Sequence, residues 1–574
     1  MILRVFSPRF GRFLPVVFLA AVVAVFVGCP ALAQPGFLSP AQVEERLTTL
    51  ETSHPNVVKR LEIGESATGQ PIYALEISAA ENPAMQPALL AVAGHDVRHP
   101  QAPALLLSTL ENWLSEQKQQ GYSTLEQRTL YVVPLAAPDA AVRAFAQPAW
   151  PVFANTRKTD EDNDGRLDED GPEDLNENGS IDWMRVWNPV GAFTNAAPEL
   201  PLPVAATINT PPAERYDLYL EGTDQDGDDN LNEDPLGGVH FHQNFTHQYE
   251  PFAPHTGPHP VSEPASRALA DFCFARFNIA AVLWVGTQEN LINAWKFNEA
   301  SSNSQLPTTP KKEDAAVYRA ISAQYTDSLL QHKKSGVSLF DSDGKGAPLQ
   351  WSYFHYGRFG FSSPIYLPVF DSLKKDSSWS DELQEFFSLA QTHQNDTLKL
   401  LFLKALRAGN LPQIEWTALE EHPDFPGKKV ELATPPAAFW FAVANEENLN
   451  AAATNHQKLL ELLLTQTAQL KLNDLKVYNL GQGVYQVELD VLNTGLLPII
   501  PQIAEGNNWV KKPIVRITLA EGQQLLSTPQ QFFLENLPGK GSQRIRFSVA
   551  GAGQISLKVG APQCGFIQRK FVLN

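Results

Sequence analysis

Two groups of side chains in this sequence are spaced for chemistry: imidazoles that follow apolar runs, and carboxylates and amides that alternate in acidic loops. The apolar run 88–93 leads into Gly94-His95-Asp96-Val97-Arg98-His99, and the apolar run 279–285 leads into Gly286. His240 and His242 stand two apart, so on a strand they project from one side. Neutral imidazole is a common zinc ligand, and His95, His240 and His242 could together form a metal site. The simpler alternative is a set of cleft histidines with ordinary hydrogen bonds, because spacing alone sets no geometry.

The acidic loops repeat a different grammar. Asp160, Asp162, Asp164 and Asp168 alternate around Gly165, and Asp174, Asn176, Asn178 and Asp182 alternate around Gly179. Asp224, Asp226, Asp228, Asn230 and Asn232 form a third run with Gly227. Oxygens at every second position can wrap about six to eight ligands around a hard cation, and glycine permits the turn. Calcium is the expected ion, because acids at this density otherwise repel one another. The alternative is a set of solvated acidic loops. The first two runs have no glutamate at the twelfth position, so they are not complete EF-hand loops.

The elements that must position these residues read as an α/β domain. Helices are expected at 38–53, 104–114 and 263–277, and strands at 61–63, 72–77, 88–93, 129–135 and 279–285. Continuous apolar strands alternating with helices imply a mostly parallel or mixed sheet covered on both faces. Ligands in such folds sit at the carboxyl ends of strands. His95, Pro138-Asp139 and Gly286 all follow strand ends, which places them in one cleft. A helix over 451–470 precedes a change of character near residue 473. The runs 477–479, 484–491, 514–519, 544–549 and 555–559 then read as an antiparallel β-sandwich.

A chain of 574 residues needs more than one core. Its net charge of −19 argues against nucleic acid or an anionic membrane as partner. Arg4, Arg9 and Arg12, the apolar run 14–27 and Ala31-Leu32-Ala33 read as a signal peptide over 1–33, which implies a secreted or periplasmic protein. Lipid attachment through Cys29 is the rival reading. The mature chain has no apolar run long enough to span a membrane. Cys273 and Cys564 read as two buried thiols rather than a bridge.

Several ordered motifs resemble peptidase family M14, the zinc carboxypeptidases. They are Ser53-His54-Pro55 followed by the stretch 61–72, Gly237-Gly238-Val239-His240-Phe241-His242-Gln243-Asn244-Phe245, Ser262-Glu263-Pro264, the stretch 351–357 and the stretch 422–431. The resemblance implies an M14 domain over 38–466 with acidic insertions at 160–182 and 224–234. It also implies an eight-stranded type of sheet, the stretch 351–357 as the strand before the catalytic residue, and a separate sandwich over 473–574. In the family, two histidines and a glutamate hold zinc, a glutamate is the general base, and an asparagine–arginine pair grips the substrate carboxylate. By resemblance those positions hold His95, Arg98 and Gly286 for the metal, Pro364 for the base, and His242-Gln243 for the grip. Arg157 matches an arginine that steadies the oxyanion, or else belongs to the neighbouring acidic loop. One ligand of three remains, and Arg98 is expected to pair with an acid such as Asp139 in the metal's place.

The sequence therefore reads as a calcium-stabilised carboxypeptidase-like protein that has lost zinc and peptidase activity and binds a peptide, a peptidoglycan fragment or a partner protein. Two alternatives stay open: a hydrolase with a rebuilt histidine-rich zinc site, and a structural protein of the cell envelope.

Overall fold

A computed structural model describes residues 36–144, 146, 148–149, 153–159, 165–168, 170–197, 200–227, 230–232, 237–286, 288–328, 344–364, 414–435 and 446–574. The expected signal peptide with Cys29, and Asp160, Asp162, Asp164 and Asp228, lie outside these residues. In chain order the described elements begin with α1 (Pro40–Ser53), β1 (Val58–Glu65), β2 (Pro71–Ile77), β3 (Ala88–Val92), α2 (Ala102–Gln119), β4 (Thr129–Val133) and α3 (Pro138–Ala144). Four strands follow: β5 (Trp183–Trp187), β6 (Phe193–Ala197), β7 (Leu200–Ala205) and β8 (Tyr216–Leu220). Next come α4 (Pro264–Ala275), β9 (Ile279–Val285), α5 (Glu299–Ser302), α6 (Lys312–Ser328), α7 (Pro348–Phe354) and β10 (Phe359–Ser363).

Among the described residues the first sheet has six strands in the order β1-β2-β4-β3-β9-β10. β4, β3, β9 and β10 run parallel, and the β1–β2 and β2–β4 pairs are antiparallel. All residues of β3, β4, β9 and β10 are buried, as expected for strands covered on both faces. The pleat sends alternate side chains to two cores. Leu89, Ala91, Ala281 and Leu283 meet α1, α2 and α6 on one face. Leu90, Val92, Val282 and Trp284 meet α3 and α4 on the other. Helix α1 starts where the sequence places it: Ser39 Oγ accepts from Gln42 N, Gln42 Oε1 accepts from Ser39 N, and Pro40 opens the first turn.

Two further strands, β11 (Thr417–Leu419) and β12 (Val430–Ala433), join β5–β8 in a second six-stranded sheet, ordered β11-β12-β5-β8-β6-β7 and antiparallel throughout. The sequence reading missed this sheet and treated the region as loops. The acidic runs are its connections: Asp182 stands just before β5 and Glu221 just after β8.

Helix α8 (Glu446–Thr465) packs on α2, and its end differs from the expected 451–470 because Leu470 opens the next strand. The C-terminal strands are β13 (Leu470–Gly481), β14 (Val484–Asn493), β15 (Ile514–Thr518), β16 (Gln524–Leu525), β17 (Gln531–Phe533), β18 (Ser542–Ala550), β19 (Gly553–Ala561) and β20 (Gly565–Leu573). They form two antiparallel four-stranded sheets, β13-β14-β18-β16 and β17-β15-β19-β20. Val487, Leu489, Phe547, Val515, Ile517 and Leu557 share one core between them, which makes a sandwich. The stretch 351–357, expected as a strand, instead lies on α7 and the turn after it; Pro348 in the first turn is the local signal for a helix. Cys273 and Cys564 are free and buried.

One buried carboxylate ties the first domain to the sandwich. Asp314 on α6 accepts from Tyr353 Oη at 2.6 Å, Gln502 N at 2.9 Å and Ile503 N at 3.1 Å. Asp314→Ala leaves three donors without their acceptor and should cost on the order of 3 kcal/mol. Thermal unfolding followed by circular dichroism checks this; an unchanged midpoint would show that water replaces the carboxylate.

Candidate functional site: the strand-end cleft

Parallel register brings the candidate residues together. Val92 on β3 pairs with Trp284 on β9, and Val285 pairs with Ser363 on β10. His95, Gly286 and Pro364 therefore emerge from the ends of three neighbouring strands. Gly94 turns the chain at φ +62°, and a side chain there would strike the Leu135 backbone.

The His95 ring packs directly on Gly286. A Cβ at residue 286 would lie 2.5 Å from His95 Cε1 and 2.6 Å from Nε2. The same ring meets Trp284 edge to face, with centroids 5.0 Å apart. Burial lowers the His95 pKa to about 4, with Asp96 opposing and Arg98 adding to the shift. The missing side chain at 286 and the inward seat of His95 are thus one packing arrangement.

Arg98 is held by Asp96. Its Nε donates to Asp96 Oδ1 at 2.9 Å, and its Nη2 donates to Oδ2 at 2.7 Å. Asp139, the expected partner, instead accepts from Ser66 Oγ and Thr68 Oγ1 in the turn after β1. Arg98 Nη2 also lies 3.0 Å from His242 Nε2. Guanidinium can only donate, so Nε2 is the acceptor and the His242 proton sits on Nδ1. His242 is buried, and desolvation holds its pKa well below the ordinary 6.5.

The histidines form a column rather than a metal site. His240 stacks on His242 at 5.3 Å and on His255 at 4.5 Å. Gln243, at the expected carboxylate-grip position, places Oε1 at 3.1 Å from His240 Nδ1. His240 and His242 do not lie on a strand; His240 immediately precedes the 3₁₀ turn Phe241–Gln243, and His242 is its central residue. Among the described residues no three His, Cys, Asp or Glu side chains gather to hold a metal. His95, His240 and His242 are not in such a group.

Zinc does not fit the three ligand positions. His95 faces the Gly286 backbone, Gly286 offers no ligand atom, and Arg98 places a positive charge beside them. Pro364 is buried and carries no exchangeable proton. Arg157 Nη1 contacts Glu263 Oε1 at 3.2 Å.

Two of the resembling motifs bind each other. Asn244, fully buried, donates to Ser262 Oγ at 2.9 Å and Thr256 O at 2.8 Å, and accepts from Ser266 Oγ at 2.6 Å. Glu263 takes Asn155 Nδ2 at 2.6 Å and Ser262 Oγ at 2.7 Å. Sequence reasoning missed this pairing, although both motifs were visible.

In the acidic region, carboxylates hold backbone amides. Asp174 accepts from Asn178 N and Gly179 N, and Asp182 Oδ2 accepts from the side chains of Asn176 and Asn178 at 2.9 Å each. Asp168 accepts from Gly237 N, and Asp170 accepts from Asn232 N, joining the first run to the third. Asp224 accepts from Gly227 N, Asp226 lies 3.8 Å from Arg166, and Asn230 is exposed. Glu221, which no spacing rule singled out, is completely buried. It accepts from Leu175 N, Asn176 N and Asp182 N, and burial pushes its pKa up to about 7.

The first domain is thus a mixed sheet covered by helices, with a histidine after its third strand. Residues 43–200 match the zinc carboxypeptidase family model. Residues 469–572 match a domain of unknown function (DUF8731). No curated protein matches the chain. Solved structures similar to it include thrombin-activatable fibrinolysis inhibitor, at 13% identity over 59% of this chain and 71% of that one, with a TM-score of 0.35. Carboxypeptidase A from Helicoverpa armigera is 16% identical over 65% of this chain and 74% of its own, with a TM-score of 0.34. A metallo-carboxypeptidase from Pseudomonas aeruginosa is 12% identical over 64% and 68%, with a TM-score of 0.29.

Gly286→Ala should destabilise the chain by about 1–3 kcal/mol through overpacking, and most of that cost should vanish in a His95→Ala background. A thermal-melt double-mutant cycle reads the coupling; additive effects would mean that the two residues do not touch. Acid should destabilise the fold. Burial lowers the pKa of His95 and His247 to about 4, and of His99 and His240 to about 3. These groups bind protons more readily when unfolded, so their contribution is full above about pH 6.5 and falls as pH drops, by about 1.4 kcal/mol per unit for each. Glu221 acts oppositely: its raised pKa favours the folded chain at low pH, and that contribution is lost as pH rises through about 7. Asp182 and Asp314 are raised in the same way, but eight imidazoles with lowered pKa outweigh three such carboxyls, so the melting midpoint should fall between pH 6.5 and pH 4. A flat profile would contradict their neutral burial.

Proposed function

We propose that this chain is a secreted or periplasmic protein of carboxypeptidase fold that no longer performs zinc-dependent peptide hydrolysis and acts by binding a peptide or a peptidoglycan fragment. The observation that carries the reading is the seat of Arg98, bidentate on Asp96 and hydrogen-bonded to His242 where the family's metal ligands converge. A guanidinium neutralised by its own carboxylate neither binds zinc nor activates water. Pro364 at the general-base position supports the same conclusion, since it cannot relay a proton. Calcium in the acidic loops belongs to this proposal, on the alternating spacing of Asp174, Asn176, Asn178 and Asp182. No helix among the described residues is long and apolar enough to cross a membrane.

A structural role in the cell envelope is the second reading. It is favoured by the burial of His95 and His242, 6% and 5% exposed, which closes the cleft floor. Binding of a defined muropeptide by the purified chain separates the two: saturable binding supports the first, and none supports the second.

Elemental analysis after dialysis should find calcium and less than about a tenth of an equivalent of zinc, and peptides should keep their C-terminal residues. Tight zinc that disappears in a His95→Ala, His242→Ala double mutant would overturn the proposal. Arg98→Glu with Gly286→His should not restore zinc binding as it stands, because the His95 ring occupies the space that a side chain at 286 needs.

A further inference from the structure

A cavity of about 900 Å³ lies between the first domain and the sandwich and shares no lining residue with the strand-end cleft. One wall is α4 and α7; the other is the loop 503–509. Its volume falls in the range of small-molecule sites, about 300–1,000 Å³. We propose that this junction pocket binds a neutral saccharide.

The walls are fixed in place. Asp314 holds the amides of Gln502 and Ile503 at the start of the loop. Gly357, at φ +71°, lets the loop approach: a Cβ there would lie 2.8 Å from Ala504 Cβ. Asn507 Oδ1 accepts from Trp509 N at 3.3 Å, which orders the end of the loop. A pocket built this way loses little freedom when a ligand enters.

The lining combines exposed aromatic rings with neutral polar groups. Trp509 is 46% exposed and Phe274 is 37% exposed, although each is a large apolar group at a pocket wall. Phe274 stands nearly perpendicular to Trp509, at 84°, and to Trp351, at 85°, so the rings form a corner. Asn507 and Asn508 bring amides that both donate and accept. On α4, Arg267 Nε donates to Asp271 Oδ2 at 2.8 Å at the rim, so their charges cancel. His355 bonds Thr246 and has its pKa lowered by burial.

A pyranose suits this surface. Its C–H face carries partial positive charge that an aromatic face attracts, and its hydroxyl edge suits the amides and the rim ion pair. A peptide carboxylate needs a cation not already paired, and Arg267 is paired with Asp271. A lipid tail would cover the Asn507 and Asn508 amides without offering them a partner. The proposal does not depend on the cleft, so it stands or falls separately from the binding role proposed there.

The test is titration of the purified full chain with chitotriose and with cellotriose, read by tryptophan fluorescence and calorimetry, with Ala-Phe-Ala as the peptide probe. Wild type should bind at least one saccharide saturably. Trp509→Ala should weaken that binding about tenfold or more, and Trp509→Phe should stay within about threefold. Asn508 is exposed, so Asn508→Ala should weaken binding without loss of fold, which covers the case in which Trp509→Ala is unstable. Absence of saturable binding by either saccharide would overturn the proposal. So would binding that neither Trp509→Ala nor Asn508→Ala reduces, or a preference for the peptide.

Discussion

The parallel register of β3, β9 and β10 is the constraint on which the cleft depends. Three strands buried on both faces can slide only by exposing a full apolar face, so their carboxyl ends are held level. Whatever residues follow those ends must share one small volume. Here they are an imidazole, a glycine and a proline, with an arginine one turn further on. The low dielectric there makes any charge expensive unless it is paired. Asp96, two residues before Arg98, supplies that pair, and it does so within one turn of chain. The Arg98–Asp96 pair is thus a local answer to a constraint set by long-range strand pairing.

A pair of this kind is costly to break and need not add net stability. Its effect is better seen in what it excludes. Both Asp96 oxygens accept from Arg98, and His242 Nε2 accepts a hydrogen bond from the same guanidinium. The lone pairs that a cation would need from these two residues are already used. His95 turns the other way, against Gly286. The cluster is internally satisfied at most of its polar atoms, which is the condition for a buried polar network to hold one geometry.

The fold of the first domain was legible because its strands are unbroken apolar runs. Residues 88–93, 129–135 and 279–285 can bury both faces only in a covered sheet, and they do. The second sheet was not legible. Trp183-Met184-Arg185-Val186-Trp187 and Tyr216-Asp217-Leu218-Tyr219-Leu220 mix aromatic and charged residues, and β5 finds its partner Val430 more than two hundred positions later. Arg185 is buried there only because Glu431 pairs with it at 2.9 Å and Trp416 stacks on it, which no local pattern announces. The site was half legible. Motif order placed His95, Arg98, Gly286 and Pro364 at neighbouring strand ends. The choice of Asp139 for Arg98 failed because the 66–69 turn already claims that carboxylate. The acids of the second sheet were legible as a pattern but not as bonds, since Glu221, the carboxylate that gathers three amides, stands outside every alternating run.

The motifs that carry the family likeness fall into two physical kinds. Those that hold chain to chain are complete: Asn244 spans to Ser262 and Ser266, Glu263 takes Asn155 and Arg157, and the 66–69 turn holds Asp139. The second kind, on the resemblance alone, would be the positions of Arg98, Gly286, Pro364 and Gln243. The first kind fails expensively, because each group removed leaves buried donors or acceptors unpaired. The second kind touches water and ligand, so exchange there costs the fold little once charge is balanced. A scaffold can therefore keep its cleft while its reactive groups change. The changes need not be independent, either. His95 can lie against residue 286 only if that residue is glycine, and Arg98 can enter only if Asp96 is free to receive it. The residues at these strand ends are thus one packing arrangement with two contacts.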